Sequence, residues 1–210
     1  MKIVVDHRAP ALHHMQKDSS IISSEIEKTI IRFYEWSDFC ITYGLFVDPE
    51  RFIKRSEDIE LVRRPTGGGL LFHERDLAFS LFLPKSSLVY SLPIEKSCAQ
   101  INQAIYEALG IEKCVISSNE RCQLCMAQAT PYDIIYEGYK IGGCAERRTR
   151  YGLLHQVSLF LEEPDWEKIE GLLIDRANLQ TMQEGIRTFS RIDRDELQSK
   201  LFEKLRGVYG

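Results

Sequence analysis

Residues 63–73 are Arg63-Arg64-Pro65-Thr66-Gly67-Gly68-Gly69-Leu70-Leu71-Phe72-His73, which places three consecutive glycines between two predicted strands. A glycine inside a sheet loses more backbone entropy than a residue with a Cβ and packs no side chain, at roughly 0.5–1 kcal/mol per position. The triplet therefore indicates either a sharp bulged turn or a surface where a ligand lies against the backbone. Arg64 and Thr66 beside it suit an anionic ligand, because guanidinium and backbone N–H groups bind phosphate and carboxylate.

A second glycine-rich segment follows a predicted hairpin about 75 residues later. Residues 132–136 and 139–141 are predicted strands, joined by a turn at Glu137-Gly138. Lys140 lies on the second strand and is followed closely by Gly142-Gly143. A strand lysine alone is typical of a solvated edge, but the glycine pair indicates that another group approaches the backbone beside it.

The remaining pattern predicts strands and helices that do not alternate regularly. Apolar runs predict strands over 39–43, 59–64, 77–83 and 153–161, and helical spacing predicts helices over 16–34, over 94–109 and from Asp193 onward. This order predicts an α+β fold, with a mixed, largely antiparallel sheet and flanking helices. The nucleotide fingerprints GxGxxG and GxxxxGK[ST] do not occur in the sequence.

Composition places the chain among ordinary globular proteins. It has 210 residues, of which 44% are hydrophobic and 28% charged, so one domain over residues 1–210 is expected. The formal net charge of −4 provides no basic excess for nucleic acid. The sequence shows neither a membrane span nor a signal peptide. We therefore expect a cytoplasmic protein with no nucleic-acid or membrane partner.

Six cysteines are expected to be free thiols, because a chain of this length without an export signal belongs to a reducing compartment. Cys122 and Cys125 form a CxxC pair, but the second pair of a typical zinc site is missing. Cys144 and His155 could supply ligands, yet their spacing matches no common zinc motif. We predict no metal site, and a zinc-stapled structural domain remains the alternative outside any enzyme family.

Taken together, the two glycine-rich segments resemble the lipoate-protein ligase A and lipoyl/octanoyl transferase family, which shares its catalytic domain with biotin protein ligases. The likeness is carried by Arg-Arg-Pro-Thr-Gly-Gly-Gly and by Gly-Tyr-Lys-Ile-Gly-Gly-Cys-Ala. It extends to residues 73–80 and 154–159, and more weakly to 15–18 and 43–46. The match covers roughly residues 10–165 in order.

The resemblance assigns roles residue by residue. Lys140 would bind the acyl carboxylate or acyl phosphate oxygen, and it would be the catalytic residue. The other implied residues bind substrate or nucleotide: the loop Arg64, Thr66, Gly67, Gly68 and Gly69; Leu70, Leu71, Phe72 and His73 beside the nucleotide; Gly142, Gly143 and Ala145 along the acyl tunnel; and His155. Cys144 stands where the family usually has a serine.

The activity that the resemblance implies first is lipoate–protein ligation. Lipoate and ATP would give lipoyl-AMP, with Mg²⁺ held largely by the nucleotide and no tightly bound cofactor. The lipoyl group would then pass to a lysine on a lipoyl domain of a 2-oxoacid dehydrogenase E2 subunit or on the glycine cleavage H protein. A chain of 210 residues has no room for the C-terminal accessory domain of longer ligases, so either a separate accessory subunit assists or the single domain suffices.

A cysteine-dependent octanoyltransferase is the alternative within the same family. Some members carry a nucleophilic cysteine shortly before the strand that leads to the lysine, and Cys125 lies at a matching position, seven residues before Tyr132. Octanoate from acyl carrier protein would then be the acyl group. The sequence His-Glu-Arg-Asp-Leu from His73 resembles these transferases, whereas Gly69 follows the ligase pattern. Ligase is the preferred interpretation, and a noncatalytic lipoyl-binding module is a lesser alternative.

Overall fold

The computed structural model describes residues 1–112, 126, 130 and 132–210. Its strands are β1 (Lys2–Val5), β2 (Ile30–Tyr34), β3 (Cys40–Tyr43), β4 (Glu60–Arg63), β5 (Leu70–His73), β6 (Leu77–Pro84), β7 (Ile134–Tyr136), β8 (Tyr139–Thr149) and β9 (Gly152–Leu159). Its helices are α1 (Ala11–Ile22), α2 (Ile94–Leu109), α3 (Trp166–Leu172), α4 (Ala177–Gly185) and α5 (Arg194–Tyr209), with 3₁₀ turns at Pro49–Arg51 and Leu88–Ser91. Among these helices, none is both long and apolar enough to cross a bilayer.

The strands form two sheets. The larger has the order β1-β2-β6-β9-β8-β7, in which β1 and β2 are parallel and all other neighbours are antiparallel. The smaller has the order β4-β3-β5, with β3 parallel to β4 and antiparallel to β5. The prediction of an α+β fold with a mixed, largely antiparallel sheet and flanking helices is confirmed.

The main core lies on one face of the large sheet. Helices α2 and α5 present apolar stripes at helical spacing, including Ile101, Ile105 and Leu201, and these pack with Phe33 and Phe79 of the sheet. Helix α2 ends where the sequence predicts, since Gly110 adopts φ of 68° and its N–H bonds back to the last turn.

The opposite face of the large sheet meets α1 and the small sheet. Met15 of α1 packs there with Tyr34 and Ala78. The small sheet has its own core on its far side, where Ile41 and Leu70 meet residues of α3 and α4. The two sheets therefore face each other, and the candidate site lies between them.

The predicted helix over residues 16–34 is wrong in extent. Helix α1 covers Ala11–Ile22, and residues 30–34 form β2, which pairs with the central strand β6. Ile22 at the end of α1 and Ile26 in the loop that follows it are buried together with Phe82. Their helical spacing therefore reflects burial in one cluster, not membership of one helix. The hairpin turn at Glu137-Gly138 is confirmed, since both residues have positive φ, whereas β8 runs on to Thr149, beyond the predicted end at residue 141.

Candidate active site

A pocket lies between the two sheets, and seven of the fourteen predicted site residues that the structure describes line it. The residues that line it are Met15, Tyr34, Trp36, Arg64, Gly68, Leu71, His73, Asp133, Lys140, Gly143, Cys144, Ala145, Gln156, Val157 and Ser158. They come from α1, from both sheets and from the glycine triplet. The two glycine-rich segments, 75 residues apart in sequence, thus meet across one cavity.

Lys140 is buried at the start of β8 and is paired with a carboxylate. Its Nζ lies 2.8 Å from Oδ2 of Asp133, and the two side chains are 2% and 5% exposed. The β7–β8 hairpin brings them together, because Ile135 pairs with Lys140 and Asp133 directly precedes β7. Asp133 Oδ2 also accepts hydrogen bonds from the backbone N–H and hydroxyl of Thr130. A fixed buried ammonium of this kind can stabilise negative charge on a bound acyl group.

The glycine pair after Lys140 is explained by the protein itself. A Cβ on Gly143 would lie 3.3 Å from Asp133 Oδ1 and 3.4 Å from Lys140 Cε, so the missing side chain leaves room for the ion pair. A Cβ on Gly142 would lie 2.8 Å from the carbonyl oxygen of Ser158. The groups that approach this backbone most closely are therefore the Asp133–Lys140 ion pair and the neighbouring strand β9.

The glycine triplet is fastened to the turn that follows β3. The N–H of Gly44 donates to the carbonyl of Gly69, and the N–H of Leu45 donates to the carbonyl of Thr66. Arg64 acts from within the loop: its guanidinium donates to the carbonyls of Gly67 and Gly69. Arg64 also donates to the hydroxyl and the carbonyl of Thr42. Several N–H donors of this arginine therefore hold the loop in shape.

His73 anchors the other wall of the pocket through a buried carboxylate. Its Nδ1 lies 2.9 Å from Oδ2 of Asp76, and its Nε2 lies 2.7 Å from the hydroxyl of Thr42. Asp76 also accepts hydrogen bonds from the indole of Trp36 and the hydroxyl of Ser158. Burial would raise the pKa of Asp76, but the contacts with His73 and Ser158 outweigh it and lower that pKa. This cluster holds His73 in one orientation.

Thr66 is tied to the large sheet rather than being directed at solvent. Its hydroxyl donates to Oε1 of Gln156 at 2.6 Å, and the amide of Gln156 donates to Asp18 at 2.7 Å. Asp18 is fully buried and forms an ion pair with Arg32. A continuous polar chain therefore runs from the glycine loop to helix α1.

Four predicted residues belong to the two glycine-rich segments but do not line the pocket: Thr66, Gly67, Gly69 and Gly142. Three others lie away from it, and one is outside the described residues. Leu70 and Phe72 are packed in the core of the small sheet, and only Leu71 and His73 of that strand line the pocket. His155 is fully buried, with its Nδ1 3.1 Å from Glu146 Oε1. Cys125 lies outside the described residues, as does Cys122 of the CxxC pair.

Sequence reasoning missed the partners that hold the site. Asp133, Gln156 and Asp18 were not singled out, although Asp133 could have been found by pairing residues across the predicted hairpin. Gln156 and Asp18 gave no comparable signal, because their contact joins residues 138 positions apart.

A comparison with protein families shows which family the chain belongs to. Residues 11–198 match the lipoyl protein ligase A/B catalytic domain family. The chain belongs to this family. The resemblance found in the two glycine-rich segments is thereby confirmed over most of the chain, and this lipoyl ligase A/B domain supplies the frame for the site described above.

Relatives by sequence include octanoyltransferases, and similar solved structures include lipoate-protein ligases. Octanoyltransferase LipM of Lysinibacillus sphaericus is 27% identical over 157 residues, which cover 67% of this chain and 56% of that protein. The chain spans about three fifths of the length of the curated relatives it matches. A lipoate-protein ligase A bound with ATP superimposes with a TM-score of 0.78 at 21% identity, covering 99% of this chain and 84% of that one.

A two-part enzyme shows the same architecture. The bi-partite lipoate protein ligase from Thermoplasma acidophilum has a TM-score of 0.76 at 21% identity, with 99% of this chain and 82% of that chain covered. At this identity the two structural likenesses establish the fold alone. The sequence relationship, by contrast, is with octanoyltransferases.

Proposed function

We propose that this chain transfers an octanoyl group from acyl carrier protein to a lysine of a lipoyl domain, through a thioester on Cys125. The observation that carries the proposal is the sequence similarity to octanoyltransferase LipM. Cys125 stands seven residues before Tyr132, at the position where cysteine-dependent members of the family carry their nucleophile. The proposal reverses the sequence-based preference for ATP-dependent ligation.

The reaction has two acyl-transfer steps. The Cys125 thiol gives up its proton, and the thiolate attacks the carbonyl carbon of the octanoyl thioester. The bond to the carrier sulfur breaks, and the carrier leaves as a thiol that takes up that proton. The amine of the acceptor lysine then attacks the octanoyl-Cys125 thioester, which forms an amide, releases a proton from the amine and regenerates the cysteine. In each step the Lys140 ammonium stabilises the oxyanion that develops on the carbonyl oxygen.

The charges around the pocket support a neutral acyl substrate. In the described part of the chain, the two cations that line the pocket already have protein partners: Lys140 has Asp133, and Arg64 has Thr42 and the loop carbonyls. Met15, Leu71 and Val157 add apolar wall for an alkyl chain. An octanoyl thioester needs no further cation, whereas a triphosphate needs several charges to offset its own.

Lipoate–protein ligation is the second candidate. Gly69 follows the ligase pattern, and the fold is shared with a ligase that binds ATP. In this case lipoate and ATP, with Mg²⁺ on the nucleotide, would form lipoyl-AMP in the same pocket, with or without an accessory subunit. The acceptor would again be a lipoyl domain of an E2 subunit or the glycine cleavage H protein.

A single comparison separates the candidates. The chain is incubated with an apo lipoyl domain and either octanoyl acyl carrier protein or lipoate with ATP, and the acceptor is examined by intact mass spectrometry. Octanoylation from the carrier without ATP supports the transferase. Modification that occurs only with lipoate and ATP contradicts it, and no modification with either donor, on E2 and H-protein acceptors alike, contradicts both and leaves a binding module.

The role of Cys125 is tested without an acceptor. Wild-type enzyme incubated with octanoyl acyl carrier protein should gain one octanoyl group that hydroxylamine removes, as expected of a thioester. Cys125→Ser should lose that adduct and the transfer activity. Cys122→Ser, three residues earlier, is the matched control and should keep both; loss of the adduct in the control but not in Cys125→Ser would reassign the nucleophile.

A further inference from the structure

A cluster of two thiols and one imidazole lies on the face of the large sheet that α2 covers, and one of its three residues, Cys144, also borders the acyl pocket. Cys98 comes from α2, Cys144 from β8 and His155 from β9, and their ligand atoms all lie within 4.8 Å of one another. In the β8–β9 register Cys144 pairs with Val157 and Glu146 pairs with His155, so Cys144 and His155 are diagonal neighbours on one face. Helix α2 covers this face, since Ser97 donates to Glu146.

The alternation along β9 turns His155 away from the acyl pocket. Gln156 and Ser158 flank Val157, and their side chains bond to Asp18 and Asp76 on the side of the small sheet. His155, one residue earlier, points to the other face and contacts Glu146. Cys98 and His155 therefore do not line the acyl pocket, and the thiol of Cys144, which does border it, is directed to the carbonyl of Tyr132.

The hydrogen bonds of His155 leave one of its ring nitrogens available to a ligand. Its Nδ1 is engaged by Glu146 Oε1 at 3.1 Å, and Glu146 Oε2 is itself held by the hydroxyl of Ser97 at 2.7 Å. The ring is fully buried, and Nε2 has no hydrogen-bond partner among the described residues. A carboxylate on one nitrogen of a metal-binding histidine is the usual arrangement, since it fixes the tautomer and the ring orientation.

Asn102 is the second buried group with an unused atom beside the cluster. It lies one turn after Cys98 on α2, and its Nδ2 is 3.6 Å from the sulfur of Cys144. An amide that donates to a thiolate sulfur supports it as a metal ligand. The Oδ1 of Asn102 has no partner within the described part of the chain, so it can accept a hydrogen bond from a water on the metal.

We propose that Cys98, Cys144 and His155 bind a zinc ion, with water in the fourth tetrahedral position. Two thiolates and a neutral imidazole balance the charge of Zn²⁺, and this donor set is typical of zinc. Tetrahedral zinc places its ligand atoms about 3.5–3.8 Å apart, so ligand atoms that lie within 4.8 Å of one another need to close by no more than about 1 Å. The Cys144 thiol donates to the carbonyl of Tyr132 at 2.8 Å, and this contact must be exchanged for the metal.

The sequence offered Cys144 and His155 as possible ligands but did not indicate Cys98, because that residue is distant from both in the chain. Cys98 precedes Cys144 by 46 residues, and only the packing of α2 on the sheet brings them together. The ion would link α2 to β8 and β9, and it would stabilise the folded chain in proportion to its affinity. The prediction of no metal site is replaced by this proposal.

The test is a metal titration of reduced protein under anaerobic conditions. After treatment with EDTA the chain should bind about one equivalent of Co²⁺, with the near-ultraviolet thiolate band and visible bands of a tetrahedral site. Zn²⁺ should displace the Co²⁺ and raise the thermal midpoint. Failure to bind either ion at micromolar concentration overturns the proposal, and so does a disulfide between Cys98 and Cys144 in protein isolated under reducing conditions.

Variants locate the ion. Cys98→Ser, Cys144→Ser and His155→Gln should each weaken Zn²⁺ binding by at least about 100-fold, and Glu146→Gln by about 10- to 100-fold. Circular dichroism confirms that each variant is folded. Cys40→Ser, which removes a buried cysteine of β3, should leave the titration unchanged.

The CxxC pair provides the decisive comparison. A double variant, Cys122→Ser with Cys125→Ser, should retain the ion, because neither residue belongs to the proposed cluster. Loss of binding in that double variant, with unchanged binding in Cys98→Ser, would show that the metal belongs to the CxxC pair and would overturn the assignment.

Discussion

Gly44 sets the position of the glycine loop, and replacing it with alanine tests whether that position matters for catalysis. A Cβ at residue 44 would lie 2.1 Å from the carbonyl oxygen of Gly68 and 2.7 Å from that of Gly67. Ordinary contact begins at 3.4 Å, so the loop must retreat by about 1.3 Å, the difference between 3.4 and 2.1 Å. The obstacle is backbone, which cannot rotate away as a flexible side chain does.

Two effects of Gly44→Ala follow from that displacement. Forcing a methyl group into a packed site costs about 1–3 kcal/mol, which for a chain of this size lowers Tm by about 2–4 °C per kcal/mol. A displacement of about 1 Å near reacting groups reduces the rate about 100-fold. We therefore expect a folded protein whose kcat/KM for octanoyl transfer falls by about two orders of magnitude.

The assay measures initial rates of octanoyl transfer to a lipoyl domain, with Tm and circular dichroism recorded on the same samples. Gly171→Ala in α3 is the matched control, because its Cβ has no atom within 4 Å. It should retain the wild-type rate. If Gly44→Ala is as active as this control, or if its loss of rate only follows its loss of folded protein, then the loop does not position the substrate.

Three further outcomes are expected. Lys140→Met should reduce octanoyl transfer by about 1000-fold or more while far-ultraviolet circular dichroism stays unchanged, and wild-type kinetics in this variant would remove Lys140 from the mechanism. Gly67→Ala adds a methyl group with no atom within 4 Å, so Tm should stay constant while KM rises if substrate lies on the loop; an unchanged KM would place the substrate elsewhere. Burial and the charge of Arg32 lower the pKa of His14 to about 4. In the unfolded chain the same imidazole takes up a proton near pH 6.5. The free energy of unfolding should therefore fall by up to about 3 kcal/mol as the pH drops from 7 to 4. Urea denaturation should show a weaker pH dependence for His14→Gln than for the exposed control His13→Gln, and equal dependence would exclude His14 as the titrating group.

Local sequence signals were sufficient where an element is defined by its own residues. Helix α2 has the predicted limits because its apolar stripe is regular and Gly110 ends it in a left-handed conformation. Residues 30–34 show the opposite case. Their apolar side chains fit a helical period, but pairing with β6 makes them a strand, and that pairing partner lies about 50 residues away in the sequence.

The residues of the candidate site also differ in how readily the sequence indicates them. Lys140 and the glycine triplet were recognisable because several unusual residues are adjacent in the chain. Asp133 was within reach, since hairpin pairing follows from the turn at residues 137–138. The chain from Thr66 through Gln156 to Asp18 was not, because it joins the loop, β9 and α1, and no short-range pattern relates those three.

The width of the pocket depends on hydrogen bonds that link strand β9 to the loops on either side of β5. Thr66, before β5, bonds to Gln156, and Asp76, which follows β5 and also bonds to His73, bonds to Ser158 of the same strand. A loop of glycines has no side chains with which to pack, so these polar contacts must hold it at a fixed distance from Lys140. Each contact is buried, and breaking one leaves an unsatisfied group that costs about 1–3 kcal/mol. Thr66 therefore shapes the site through Gln156, whether or not its own hydroxyl touches the acyl group.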